Sequence, residues 1–202
     1  SALHFRRELA GEKCFGVRPN LARNPSLLQD PELMEKLAWD EDGEVRCNLA
    51  RNPSLSQDPE LMEKLAQDKD KVVRRYLARN PSLSKYPELM EKLAQDENRE
   101  VRSNLALNFS LPRELMEKLA QDNDREVRSN LALNSSLSRD LMEKLAREKD
   151  PRIRQGLCHN YSLPRELIEK LAQDENREVR SNLAYNSNLS PDLMEKLDRV
   201  KD

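Results

Sequence analysis

The sequence is poor in glycine, poor in aromatic residues and almost free of net charge. Four glycines in 202 residues leave no Gly-rich turns, and a doubly wound nucleotide-binding fold cradles its phosphates on such turns. The 35 Lys and Arg residues nearly cancel 37 Asp and Glu, a formal net charge of −2, which excludes a strongly basic nucleic-acid coat. No run of about 18 apolar residues exists to span a bilayer. The first residues show no apolar core with a small-residue cleavage site, so the expected compartment is the cytoplasm. Cys14, Cys47 and Cys158 are odd in number and widely spaced, which is no disulfide framework.

What the chain has is internal repetition. The segment LARNPSL begins at Leu21, Leu49 and Leu77, a period of 28 residues. Related segments then begin at Leu105, Leu131, Leu157 and Leu183, where the later steps are 26. A second signature, ELMEKLAQD, alternates with it at Glu60–Asp68, Glu88–Asp96 and Glu114–Asp122. Phe5, Leu9, Ala10 and Glu12 fit the same frame loosely, so residues 1–24 read as a degenerate capping repeat. Residues 25–108 then form the 28-residue repeats, 109–186 the 26-residue repeats and 187–202 a closing helix. That makes seven two-part repeats in one array, and the abrupt end suggests a piece of a longer chain. The shortened link between Asn108 and Leu115 predicts a bend or change of pitch near residue 109.

Each repeat divides into two amphipathic halves. The first half, as in Pro59–Ala66, places apolar residues at i, i+1, i+4 and i+5, one stripe of an α-helix. Asp58 suits the N-cap and Pro59 the first helical position, while Glu60 complements the positive end of the dipole. Glu32/Lys36, Glu60/Lys64, Glu88/Lys92, Glu114/Lys118 and Glu166/Lys170 are expected i,i+4 pairs on a solvated face. The second half, as in Glu100–Asn108, turns Val101, Leu105 and Ala106 inward and is either a short α-helix or a 3-10 segment. Pro25, Pro53 and Pro81 end it, because proline cannot continue the hydrogen-bond ladder. Two helices of two turns bury too little surface to fold alone, so neighbouring copies must supply the stability.

Two polar rows recur in register. Asp40/Arg46, Asp68/Arg74, Asp96/Arg102, Asp122/Arg128 and Asp174/Arg180 are all six residues apart, with Glu12/Arg18 and Glu148/Arg154 as acidic substitutes. The spacing predicts a charge-assisted ladder tying each turn to itself or to the next repeat. Asn24, Asn52, Asn80, Asn108, Asn134, Asn160 and Asn186 end every second half. Asparagine tolerates the left-handed conformation and bonds nearby backbone, which predicts a C-cap or turn ladder. A residue used in every repeat is better explained by packing than by catalysis.

Val45-Arg46, Leu49-Ala50, Asn52-Pro53, Leu61, Leu65-Ala66 and Asp68 resemble, in order, the unit VRxxLAxNPxxPxxxLxxLAxD of the leucine-rich repeat variant family. The Asp and Val-Arg part is also similar to HEAT repeats. The resemblance covers nearly the whole chain and implies an all-α, right-handed superhelical solenoid, although the units here are longer than the family's usual repeat. Some variant-family members carry an iron–sulfur cluster on a separate Cys-rich segment. Three scattered cysteines fall short of the four thiolates such a cluster needs, so no cofactor and no metal is expected. Trp39, Tyr76, Gly156 and Cys158 interrupt the pattern in ways a consensus design would avoid, which favours a natural bacterial chain over an engineered array.

In a stacked array, positions that vary between repeats are free for recognition. One such file is Arg23, Arg51, Arg79, Leu107, Leu133, His159 and Tyr185, flanked by Arg75 and Tyr76. It predicts a concave groove for a protein or extended peptide, acidic groups meeting Arg51, Arg75 and Arg79 and apolar groups meeting the rest. Ordinary packing between repeats is the competing reading. Phe109 and Tyr161 are expected to fill the space left by the shorter link.

HEAT-like arrays include alkylpurine DNA glycosylases, which raises a nucleic-acid or repair function as an alternative, with a structural spacer as a third. Charge argues against the second reading: residues 1–104 carry 18 basic and 19 acidic side chains, and the remainder 17 and 18, so backbone attraction would be weak. There is no HExxH, GxSxG or P-loop. Cys158 and His159 are adjacent, and neighbours on a helix point about 100° apart. The expectation is a monomeric, non-enzymatic scaffold without membrane or nucleic-acid partners.

Overall fold

A computed structural model describes residue 11 and residues 16–199. Phe5, Leu9, Ala10 and Glu12, which carry the reading of a capping repeat, lie outside the described residues. Among those described, the chain is all α, with short 3-10 segments and no strand. It divides into two compact units, Ser1–Ser110 and Leu111–Asp202. The division falls beside the change of period.

The first unit contains α1 (Val17–Arg23), α2 (Pro31–Ala38), α3 (Gly43–Arg51), α4 (Pro59–Ala66), α5 (Lys71–Ala78), α6 (Pro87–Ala94) and α7 (Arg99–Ala106). Even-numbered helices here are the first halves of repeats and odd-numbered ones the second halves. The second halves are therefore α-helices, which resolves the choice the sequence left open. The 3-10 segments Pro25–Gln29, Pro53–Gln57 and Pro81–Lys85 are a third element, opened by the prolines that end each second half. They stack on one another, and the Ser54 and Ser82 hydroxyls donate to the carbonyls of Pro25 and Pro53 at 2.8 and 3.1 Å.

Starts of the first-half helices follow local chemistry. Asp30 and Asp58 accept from the amides of Leu33 and Leu61 at 3.2 and 3.0 Å, with Pro31 and Pro59 at the first helical position. Their side chains satisfy amides that have no partner inside the helix. Leu61, Met62 and Leu65 of α4 pack inward with Val45, Leu49 and Ala50 of α3 and with Leu55 of the 3-10 segment, all essentially inaccessible to solvent. Burial of each large side chain contributes about 1.5–3 kcal/mol.

The second unit contains α8 (Arg113–Leu119), α9 (Arg125–Ala132), α10 (Arg139–Leu145), α11 (Pro151–Cys158), α12 (Arg165–Leu171), α13 (Arg177–Leu183) and α14 (Pro191–Arg199). Here the 3-10 segment is replaced by a tight turn, as at Tyr161–Ser162. The two residues missing from the shorter period are lost from this link and not from either helix. Leu137, Leu163 and Leu189 fill the space beneath the turn. Phe109 and Tyr161 do not, being 66% and 73% exposed; the buried leucine two residues further on already occupies that space, so the aromatic ring turns outward.

Gly156 of α11 stands where other repeats carry a larger residue, and a Cβ there would lie 2.5 Å from the Ser129 carbonyl oxygen of α9. The missing side chain lets α9 and α11 approach closely. The Ser129 hydroxyl then donates to the Arg152 carbonyl at 3.0 Å.

Candidate functional site

The Asp/Arg row forms joints between repeats. Arg46 places Nε and Nη2 on the Asp68 carboxylate at 2.7 and 3.2 Å, while Nη1 donates to the Asp40 carbonyl at 2.7 Å. Arg74 repeats this with Asp96 and the Asp68 carbonyl, and Arg154 with Asp174 and the Glu148 carbonyl. Residues six apart thus meet through a backbone carbonyl. The carboxylates of Asp68, Asp96 and Asp174 instead receive the arginine of the preceding repeat, as Asp40 receives Arg18 at 3.2 Å. Arg102 and Arg180 likewise donate to the carbonyls of Asp96 and Asp174.

The aspartate has a second task that glutamate does not perform. Its Oδ1, which in Asp68 also meets Nη2 of Arg46, accepts the amide two residues on, as in Asp68 from Asp70 and Asp122 from Asp124, both at 2.9 Å. The next acidic or amide residue then caps the following helix: Asp42, Asp70 and Asn98 accept from Glu44, Val72 and Glu100. Where Glu148 replaces aspartate, Arg128 Nε is 3.5 Å from its carboxylate and has no hydrogen-bond partner. Burial opposes charge on Asp174, but the Arg154 guanidinium and the Asn176 amide hold its carboxyl below the ordinary aspartate range. Hydrogen bonding to Asp68, Asp96 and Asp174 raises the pKa of Arg46, Arg74 and Arg154 against the opposing effect of burial. These shifts stabilise the ion pairs.

The Asn row is also a ladder, with a different backbone from the one its residue type suggests. Asn24, Asn52 and Asn80 have φ near −70° and extended ψ, and among the described residues no non-glycine has positive φ. Asn80 Nδ2 donates to the carbonyls of Ala50 and Asn52 at 2.8 and 3.1 Å, and its Oδ1 accepts from Ser82. Asn52 and Asn108 do the same one repeat earlier and later in the first unit, and Asn160 and Asn186 in the second. Asn134 accepts from the Ser136 amide and supplies its carbonyl to Asn160. All are buried.

The varied file falls into two patches, one in each unit. In the first unit the Arg51 guanidinium lies 3.4 Å above the Tyr76 ring, and Arg75 lies 5.1 Å from the same ring. Arg75 is held by Glu100 at 3.4 Å, whereas Arg23 donates to the uncharged Asn48 amide oxygen at 2.9 Å. Arg23, Arg51 and Arg79 are exposed, and among the described residues no carboxylate pairs with them. Leu107 is half-buried at the end of α7. In the second unit Leu133 is half-buried, His159 contacts Asn182 Oδ1 at 2.8 Å, and Tyr185 is 79% exposed.

Cys158 is fully buried, its thiol donating to the Arg154 and Val179 carbonyls at 3.3 and 3.4 Å. Burial pushes its pKa up to about 12 and that of Cys47 up to about 11. Both are free thiols. Among the described residues no group of acidic, His and Cys side chains is arranged to hold a metal ion, and no helix is long and apolar enough to cross a membrane.

Reading down the file missed Trp39. It occupies the column of Gln67, Gln95, Gln121 and Gln173, is 70% exposed, and borders a groove of about 880 Å³ between α2 and α4. The Lys64 ammonium sits 2.9 Å from its ring centroid. The expected helical pairs Glu60/Lys64 and Glu88/Lys92 are not formed, since Lys92 reaches Glu63 of the preceding repeat. The i,i+4 pairs among the described residues include Arg113/Glu117, Arg139/Glu143, Arg147/Glu143 and Arg165/Glu169. A substitution confined to one repeat was the signal that could have marked the groove.

Two interlocking ladders, repeated in register through short paired helices, define an α-helical repeat protein. The chain has the fold of a leucine-rich repeat variant: it is similar to a solved structure described as a leucine-rich repeat variant with a novel repetitive protein structural motif. That likeness has 27% identity and a TM-score of 0.60, and covers 92% of this chain and 71% of that one. A crystal structure of an engineered protein is also similar, at 15% identity and a TM-score of 0.37 over 98% of this chain and 99% of that one; nothing is drawn from it. No family model matches the sequence. No curated protein matches it either.

Proposed function

We propose that this protein is a non-enzymatic scaffold that binds a protein or extended peptide through the varied face of its second-half helices. The observation that carries this reading is Arg51 stacked on Tyr76, with Arg23 and Arg79 exposed at the same position of the neighbouring repeats and none of the three neutralised by a carboxylate among the described residues. The recurrent Asp, Arg and Asn rows are engaged in the two ladders, whereas the charge of Arg23, Arg51 and Arg79, at a position that differs between repeats, is available for a partner. An arginine fixed on an aromatic face loses little freedom on binding and keeps its outer N–H groups for an acidic side chain.

The absence of catalysis belongs to the same reading. Its support is that the two described thiols are pushed away from ionisation, and that the shifted carboxylates, Glu63, Glu100 and Asp174, are all lowered. A general acid needs the opposite direction. Free buried cysteines suit the reducing cytoplasm of a bacterial cell.

The test is affinity capture from cell extract with the intact protein and with an Arg51→Glu, Arg79→Glu double variant, after circular dichroism confirms equal helicity. The reading expects a specific protein to be retained by the first and lost by the second. Equal retention would refute this face as the binding surface. Retention of nucleic acid that salt releases would replace the peptide reading with the nucleic-acid one.

A further inference from the structure

We infer that the groove beside Trp39 is a second binding site, separate from the Arg51 face, and that it takes an arginine-bearing basic peptide segment. The lining holds eight carboxylates and three cationic side chains. Several of these are already committed: Asp40 to Arg18, Asp68 to Arg46, Asp58 to the Leu61 amide, and Glu63 to Lys92 and Gln67. Glu35, Glu41 and Glu60 remain along the groove, and among the described residues no cation pairs with them.

The next repeat shows why Glu35 is uncompensated. There Lys92 pairs with Glu63, 29 residues before it. The same step from Lys64 leads to Glu35, and that pair is not made, because Lys64 lies on Trp39 instead. Trp39 therefore already accepts a cation on its ring face, and the lysine it holds has an alternative acceptor one repeat back. Burial lowers the pKa of that ammonium, with Arg46 adding to the effect and Asp68 opposing it, so the incumbent is held at some loss of hydration.

An incoming guanidinium suits this seat better than an ammonium. It is planar, stacks on indole and sheds water more readily. On entry it displaces Lys64 toward Glu35, and further basic side chains of the segment meet Glu41 and Glu60. Carboxylates spread along an elongated cleft match successive residues of an extended peptide, and the volume lies within the ordinary range for ligand sites.

Trp39 is the only tryptophan in the sequence, so its fluorescence reports this site directly. The full chain is titrated at low ionic strength with a hexapeptide of alternating arginine and glycine, and with one of alternating glutamate and glycine. The expected result is a saturable emission change with the arginine peptide only. A Glu35→Gln, Glu41→Gln, Glu60→Gln variant weakens it about tenfold. Calorimetry on Trp39→Gln, which installs the residue other repeats use there, shows binding weakened about twofold to fivefold. The Arg51→Glu, Arg79→Glu variant leaves the titration unchanged, which keeps this site distinguishable from the face proposed above. No saturable change, equal affinity in the triple variant, or an emission change on diluting the protein without peptide, as a second copy in the groove would produce, overturns the inference.

Discussion

Arg154 holds Asp174 with Nε at 2.7 Å and Nη2 at 2.9 Å, both side chains 8% exposed, and thereby fastens two consecutive repeats. The same guanidinium is anchored at its other edge by the Glu148 carbonyl. Removing one partner strands the other in a site with little water. Arg154→Met is expected to cost on the order of 3–5 kcal/mol, read as a lowered urea midpoint. A loss below about 1 kcal/mol would show the joint to be ornamental.

The pH dependence follows from Asp174. Its folded pKa is depressed, so the stability it contributes is fully present above the unfolded aspartate value and is lost as pH falls through the folded one. Denaturation curves from neutrality downward should lose stability below about pH 4. Asp174→Asn should reduce the part of that loss that this carboxylate contributes.

Glu148 is the imperfect joint. Glu148→Asp restores the residue that pairs at 2.7 Å in Arg46–Asp68 and accepts the amide two residues on. Supplying the missing partner of Arg128 Nε is expected to stabilise by about 0.5–1.5 kcal/mol, measured as a raised urea midpoint. Destabilisation would mean that the longer side chain is required there.

Gly156→Ala drives a methyl group against the Ser129 carbonyl at 2.5 Å. Backbone is met on that side, so α9 and α11 must separate. The expected cost is about 1–3 kcal/mol, measured by thermal unfolding; an unchanged melting temperature would show that the two helices can part freely.

Thiol accessibility gives a further check. Iodoacetamide at pH 8 should leave Cys47 and Cys158 unmodified in the folded protein, since burial holds both pKa values far above that pH. Peptide mapping after alkylation reads this site by site. Rapid modification of Cys158 would contradict the burial of its thiol.

The repeat and its helices were legible because apolar spacing and the Asp-Pro start are local properties. Pro59 at the first helical position behaves as its ring geometry dictates. The carboxylate partners were not legible: Asp68 is six residues from Arg74 but takes the side chain of Arg46, a pairing set by the stacking of repeats. The extended conformation of Asn80 was hidden for the same reason, since its amide is satisfied by carbonyls 28 and 30 residues away. Trp39 escaped a search directed at the second-half helices, although its column in the sequence marked it as an exception.

The division between residues that hold the stack and residues free to bind is tested most directly by urea unfolding of two variants side by side. Asn80→Ala strips the Ala50 carbonyl and the Ser82 amide of the Asn80 side chain, leaves the Asn52 carbonyl with the Leu55 amide alone, and is expected to lose about 3 kcal/mol. Arg51→Glu with Arg79→Glu should stay within about 0.5 kcal/mol of the parent. Equal losses, or a larger loss from the arginine variant, would contradict the account.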